Sequence, residues 1–552
     1  MEEEKTAPSI SWIDIREKVV EQALTDGDYE ALRRMSALPG GFGGEGIRRR
    51  VWPVLLQTDR FCSEATRSST SDEAVHEDEG QVGLDTNRSF VVYPTGIVPE
   101  RKKAMQADLY NVIVGVLRRY PTLSYFQGYH DILSVFYLTY ISQPAPDPLV
   151  RSRTSSRNHS RSTSARPETE REVGAEAEKV EDEGSAASEN SEPRDSPEWE
   201  ILRKCAEVVS VLRVRDAMGS GMEGMMGMLR LLKRILRAAD PELSRFSSQI
   251  SPVPTLPFFA LSWILCLFSH DIDTLEPVQR MFDFLLARNP ISAIYLAVAI
   301  LIAKKPQMMV LAAELGPEAA DDPSLLHPLF SRLPPLYPDT PDQTTPPSHI
   351  TTDATNREGD NPNPYRPIPL SELFSLADRL MLEHPWDGPE IRGQEIMGQG
   401  SVVMSYEKEM APRPLETGVG DKAWTLVDAL QLVDQEVVKP GAGMMDDEEE
   451  DEDEAPVPVR KPGRRVQRRR WLLRLGRNKL GTAVAVGVVV LGVGMAVFGV
   501  KAGGPHASWA RWWAAIVGKQ IAGSGAGGRV GDRVDTAAEA GRYLARCLRG
   551  IM

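Results

Sequence analysis

The stretch LSYFQGYHDILSVFYLTY, residues 123–140, decides how this chain is read. Its second half is apolar at helical spacing, yet it opens with a glutamine among aromatics, followed by Gly128, Tyr129, His130 and Asp131. On a helix beginning near Gln127, that amide, Asp131 and Ser134 share one face, and Phe126, Leu133, Phe136, Tyr137 and Tyr140 crowd the opposite side. Such a polar row can face a cleft while the helix stays packed. It equally suits a plain helix entry in which the amide caps a neighbouring loop.

On either side of this stretch, helical patterns cover about 13–24, 28–35, 46–56, 99–120, 224–238, 255–269, 275–287, 291–303 and 370–383. In 99–120, Met105, Leu109, Val112 and Val116 form one stripe. Another helix starts at DSPEWEILRKCAEVVSVL, with Ser196 as N-cap, Pro197 at the first helical position and Glu198 in the first turn. Strand-like alternation is nearly absent, so the expected body is all-α. Polar stretches at about 58–80, 143–195 and 337–363 interrupt it and carry too few apolar residues to fold. Apolar periodicity resumes after each one, so they read as insertions in one helical body.

The 64 basic and 78 acidic residues of the 552 give a net charge of −14, which gives no global basic bias toward nucleic acid. The four cysteines (Cys62, Cys205, Cys266, Cys547) lie far apart, without CxxC spacing, and suit a reducing compartment rather than a zinc site or disulfide framework. The acidic N-terminus MEEEKTAPSI shows no secretory signal.

Charge is segregated near the C-terminus. LGTAVAVGVVVLGVGMAVFGV, which begins at Leu480 and ends at Val500, carries no charge over 21 residues, enough for a helix to cross a bilayer core of about 30 Å. Arg464, Arg465, Arg468, Arg469, Arg470, Arg474, Arg477 and Lys479 precede it, whereas only Lys501, Arg511 and Lys519 follow at similar range. That asymmetry implies a cytoplasmic body and places the basic cluster against anionic headgroups. The acidic run at 446–454 reads as a solvated linker. Beyond the span, Trp509, Trp512 and Trp513 suit a far interface, making 501–552 an amphipathic lumenal tail. Two other apolar runs, LPFFALSWILCLF and ISAIYLAVAILIA, are 13 residues each, too short to cross, and read as buried helices.

Several chemistries lack their anchor. Gly41-x-Gly43-x-x-Gly46 has dinucleotide-fingerprint spacing, but it follows a helical segment rather than a strand and reads as a loop. There is no GxxxxGK[ST] and no GxSxG. His130 and Asp131 are adjacent, so they point apart on a helix and make no metal pair. A second polar island, QVGLDTNRSF, places Asp85 and Arg88 three apart, so a helical turn brings them together. That pair is either a guanidinium held in one orientation or a surface ion pair of little energetic value.

Taken together these segments resemble the TBC-domain GTPase-activating proteins of Rab-type GTPases. Val82-x-x-Asp85-x-x-Arg88 looks like the family's I-x-x-D-x-x-R motif, and Tyr125-x-Gln127-Gly128 like its Y-x-Q-G motif. GIRRRVWPVLL, with Trp52, Leu55 and Leu56, resembles the opening helix; ALSWILCLFSHDI and RMFDFLLARNP resemble later ones. The resemblance runs in order over about 31–303 and continues to about 387, after an N-terminal helical lead at 1–30 and before a linker at 388–479. Joined to a C-terminal span, it is most similar to the endoplasmic-reticulum-anchored branch. Departures are Val82 for isoleucine, Ser89-Phe90-Val91 for Thr-Phe-Pro, and Tyr129 for methionine.

The resemblance implies a dual-finger mechanism on a Rab-type GTPase of early secretory traffic, in its GTP form. Arg88 would neutralise charge developing on the phosphoryl oxygens and Gln127 would orient the attacking water, with Asp85, Tyr125, Gly128 and Asp131 positioning the fingers or meeting the GTPase. It also implies no cofactor of the chain's own, since GTP and Mg²⁺ belong to the GTPase. The competing expectation is a catalytically silent, membrane-anchored Rab-binding tether or effector.

Overall fold

The computed structural model describes residues 11–62, 74–141, 196–219, 221–248, 256–316, 323–343, 345–346, 363–411, 424–433 and 435–440. The acidic run, the arginine cluster, the Leu480–Val500 segment, the tail, and most of the three insertions lie outside the described residues.

Helix α1 (Trp12–Asp26) begins where the Ser11 hydroxyl accepts from the Ile13 N–H and ends at Gly27, whose left-handed φ of 65° lets its N–H close onto Ala23 and Leu24 carbonyls. It is not a separate lead. Arg16 donates to the Gly41 carbonyl, and Glu17 accepts from the Gly44 N–H at 3.1 Å, so α1 clasps the glycine loop. Helix α2 (Tyr29–Ala37) is capped by Asp28, which accepts from Ala31 N–H at 2.8 Å. In the loop that follows, Gly40, Gly41 and Gly43 all have positive φ, and a side chain at Gly41 would collide with Arg280. The fingerprint spacing therefore serves backbone closure.

Helix α3 (Glu45–Leu55) is fixed by one buried carboxylate. Arg48 forks onto Asp283 at 2.9 and 3.1 Å, and Trp52 Nε1 donates to the same group at 2.8 Å. A short helix α4 (Thr58–Phe61) follows. Then α5 (Glu79–Thr86), α6 (Pro99–Arg119) and α7 (Tyr129–Tyr140) assemble around the opening stretch. The 58–80 insertion is thus shorter than expected: Phe61 and Glu79 belong to the folded body, Phe61 by burial and Glu79 by a bidentate bond from Arg118 at 2.7 and 2.8 Å.

Helix α7 sits at the centre, and its residues from Ile132 to Tyr140 are buried on every side. It packs against α6, α8 (Pro197–Leu212), α3 and α12 (Leu275–Leu286). Trp52, Phe136 and Phe282 form an aromatic triangle with centroids 5.1–5.9 Å apart. Between α8 and α12 come α9 (Glu223–Ala239), α10 (Pro241–Ser248) and the short α11 (Leu261–Leu265). The helix expected over 255–269 breaks there: Leu267 and Phe268 adopt φ of 48° and 67°, which ends α11 and swings the next residues outward.

Helix α13 (Ser292–Glu314) runs 23 residues, ten more than its apolar core implied, because helical geometry continues through Lys304 and Lys305 and tolerates Pro306. Among the described residues it is the one helix long and apolar enough to cross a membrane. Its first ten residues are buried against neighbouring helices, chiefly α15 (Leu370–Glu383) and α9. Lys304 is accommodated by donating to the carbonyls of Leu329, Phe330 and Arg332, the last two closing α14 (His327–Ser331). Two-residue strands β1 (Leu336–Tyr337) and β2 (Ile368–Pro369) pair in parallel, Leu336 with Ile368, and close the two ends of the third insertion against the start of α15. The body is otherwise helical, as expected.

Part of the anticipated 388–479 linker belongs to the body. Ile391, Ile396, Met397, Val402 and Val403 are buried, and helix α16 (Val402–Met410) is held by ionic contacts to 213–216. Arg213 pairs with Glu409, and Asp216 accepts from the Ser401 hydroxyl at 2.6 Å and the Val402 N–H at 2.8 Å. A last short helix, α17 (Leu426–Leu430), packs on α8 and begins with a reciprocal Thr425–Asp428 cap. These charges carry no periodic apolar signal, which is why the stretch read as linker.

Candidate functional site

Helix α5 ends at Thr86, two residues before Arg88. Asp85, with no exposed side-chain surface, pairs with the Arg88 guanidinium, whose side chain is 63% exposed. The i,i+3 spacing therefore does bring the two together. Asp85 is also gripped by Gln81 Nε2 at 3.2 Å and by the Tyr125 hydroxyl at 3.0 Å. Burial and then the Asp85 charge push the Tyr125 hydroxyl well above the ordinary phenol range, so it stays a donor. Tyr125 also lies 3.0 Å from His130 Nδ1, and its own N–H donates to Asp78 at 2.7 Å.

Gln127 is not on the helix. It occupies the turn before α7, whose N-cap is Gly128 at φ 112°, with the Tyr129 N–H closing onto the Phe126 carbonyl. The expected face of Gln127, Asp131 and Ser134 therefore does not form, and Ser134 is buried with its hydroxyl on the Asp131 carbonyl at 2.7 Å. Gly128 is needed twice over: for its backbone region, and because a side chain there would overlap the buried Cys266 sulfur. The result leaves the Gln127 amide exposed and without a hydrogen-bond partner among the described residues. Since Tyr125 bonds to Asp85, the segments carrying Gln127 and Arg88 are tied together two residues from Gln127 and three from Arg88.

The loop after Arg88 is fixed as well. Gln106 on α6 donates to the carbonyls of Asn87 at 2.8 Å and Ser89 at 3.1 Å, and the Tyr93 hydroxyl reaches the Ser269 carbonyl at 3.0 Å. Leu84, Val91 and Val92 remain exposed around it at 58%, 69% and 50%, an apolar margin rather than a core. Asp131 accepts from His270 Nδ1 at 2.9 Å and lies 3.4 Å from His130 Nε2. Burial opposes its ionisation, but the His270 hydrogen bond and the charges of His130, His270 and Arg88 hold the carboxyl below its usual range. The sequence offered no route to His270, because its partner lies 139 residues away. No group of three or more metal-type ligands occurs among the described residues.

Residues 45–145 and 196–309 match the Rab-GTPase-TBC domain family, with the gap falling on the second insertion. The chain carries a TBC domain. The chain is 28% identical over 323 residues to TBC1 domain family member 20 of Homo sapiens, covering 58% of this chain and 63% of that protein. It thus spans less than two thirds of that relative's length. It is also 28% identical over 260 residues to the GTPase-activating protein GYP8 of Saccharomyces cerevisiae, covering 47% of this chain and 44% of that one. Among solved structures, the Ypt/Rab-GAP domain of Gyp1p is similar at 15% identity and a TM-score of 0.38, over 67% of this chain and 98% of that one. Val82 to Arg88 and Tyr125 to Gly128 both fall inside the matched part of the TBC domain.

Proposed function

We propose that this chain is a GTPase-activating protein that accelerates GTP hydrolysis by a Rab-type small GTPase, lending it Arg88 and Gln127. The observation that carries the reading is the Asp85–Arg88 pair: a guanidinium left 63% exposed while the carboxylate that aims it is wholly buried. The TBC domain and relatives named as GTPase-activating proteins support it. Phosphoryl transfer needs positioning and charge stabilisation more than covalent chemistry. Arg88 suits the charge that spreads over the transferred phosphoryl oxygens, and the unpartnered Gln127 carboxamide, with donor and acceptor both free, suits orientation of the attacking water. Asp85 and Tyr125 hold the first finger, Gly128 permits the turn that exposes the second, and Asp131 braces the same turn. GTP and Mg²⁺ come with the GTPase.

With the uncharged run from Leu480 to Val500 and its N-terminal basic cluster, the same reading has the body working at the cytoplasmic face of the endoplasmic reticulum or another early secretory membrane, on a GTPase of that traffic. Single-turnover GTP hydrolysis by a panel of Rab-type GTPases, with the full chain in detergent, tests the activity. Acceleration that disappears in Arg88→Ala and Gln127→Ala is expected. Wild-type protein that binds GTP-loaded GTPase without accelerating any of them would make the chain a tether or effector instead.

A further inference from the structure

A second exposed cation stands beside the first and is held in the same manner. His270 follows the two left-handed residues Leu267 and Phe268, a conformation that non-glycine side chains keep only where the surroundings enforce it. The enforcing contacts are present. The Ser269 hydroxyl closes onto the Cys266 carbonyl at 2.6 Å, Ser262 holds Asp271 at 2.9 and 3.1 Å, and the Tyr93 hydroxyl, from the Arg88 loop, fixes the Ser269 carbonyl at 3.0 Å. The side chain so presented is 60% exposed, with Nδ1 bound to Asp131 and Nε2 without a hydrogen-bond partner among the described residues. A simple surface ion pair would need neither the strained turn nor the tie to the Arg88 loop.

We propose that His270 is a third partner-facing side chain of this site, donating from Nε2 to an anionic oxygen of the docked complex, with Asp131 as its positioning residue. This rests on the GTPase-activating reading above. The Asp131 hydrogen bond keeps the imidazole protonated, with its pKa pushed up to about 9 although burial opposes it, so the donor is cationic at neutral pH. The charged and titratable groups around the pair are His130 from α7, Tyr125 from the turn before it, Arg88 and Tyr93 from the loop after α5, and Asp271 and Cys266 from the strained turn. The shared chemistry of the acceptor is an anionic oxygen, either of the nucleotide's phosphates or of a carboxylate on the GTPase surface.

The test is single-turnover hydrolysis at several concentrations of the full-length chain and at two ionic strengths, comparing wild type, His270→Gln, His270→Arg and Arg88→Ala. A charge-assisted hydrogen bond predicts a loss of about 10- to 100-fold in His270→Gln, recovered in large part by His270→Arg. A loss confined to the maximal rate assigns the oxygen to the nucleotide. A loss in half-saturating concentration that shrinks at high salt assigns it to a surface carboxylate. If His270→Gln stays within twofold of wild type while Arg88→Ala is inactive, the inference is wrong and the activity stands. An equal loss in His270→Gln and His270→Arg also overturns it, since packing rather than charge would then be at stake. Absence of acceleration by wild type itself is the failure of the underlying reading.

Discussion

Two aspartates, Asp283 and Asp85, are each fully buried and each bonded to arginine, yet they do opposite things. Asp283 receives Arg48, Trp52 and Arg280, and both guanidinium side chains are almost as buried as it is, 6% and 3% exposed. Every charge is consumed inside the body, joining α3 to α12. Asp85 has the same zero exposure, but its arginine stays 63% in solvent. Desolvating a carboxylate is costly, and a salt bridge to a solvent-exposed cation recovers little of that cost. A fold that accepts it at Asp85 gains little stability and obtains a guanidinium of fixed direction. Exposure of the cation, not burial of the anion, separates the site from the scaffold.

Mutation can break the contrast. Arg88→Ala should have the largest effect, a fall of about 10³–10⁵ in stimulated GTP hydrolysis, roughly 4–7 kcal/mol, with thermal unfolding little changed. Asp283→Ala should do the reverse. It strands two buried arginines, so urea unfolding should show a loss of about 3–5 kcal/mol, while activity per folded molecule is retained. Should Asp283→Ala leave stability intact, the structural half of the comparison fails. Gly128→Ala should cost about 1–3 kcal/mol from its backbone conformation alone and lower the hydrolysis rate by moving Gln127. Tyr125→Phe keeps the ring but deletes the hydroxyl between Asp85 and His130, so a loss of about 0.5–1.5 kcal/mol, roughly two- to tenfold in rate, is expected with the maximal rate falling more than affinity.

The smallest effect expected is on pH. His270 has a folded pKa raised to about 9 from an ordinary 6.5, so its pairing with Asp131 stabilises the fold fully below about 6.5 and is lost as pH rises through about 9. With so exposed an imidazole the change is modest after solvent screening. Thermal melts of wild type and His270→Gln should therefore differ slightly at pH 6 and converge near pH 10. Parallel curves throughout would remove the pair from the stability account.

The helical class, the order of the main helices and the Asp85–Arg88 pairing were legible in the sequence, because all three depend on spacings of three or four residues. Gln127 was misplaced onto α7 by the same logic. Apolar periodicity ran back through Tyr125, and only the positive φ at Gly128 shows that the helix starts after it. The break at Leu267 was invisible since neither residue there is a glycine. The contacts of Asp283 with Arg48 and of His270 with Asp131 span 235 and 139 residues. Spacing carries no information at that range.

The segment around α16 has a practical consequence. A recombinant fragment cut at the end of the matched family region, residue 309, or at 387, would strip Arg213, Arg215 and Asp216 of the acceptors and donors contributed by Gly400, Ser401, Val402 and Glu409. The Met218 carbonyl, which holds the Ser124 N–H at 2.8 Å, sits on that same short turn, so the damage would travel to the entrance of the Gln127 segment. The Lys439 N–H, which donates to the Ile396 carbonyl at 2.8 Å, ties a further stretch to the same region, so a fragment that keeps these contacts has its downstream border no earlier than Lys439.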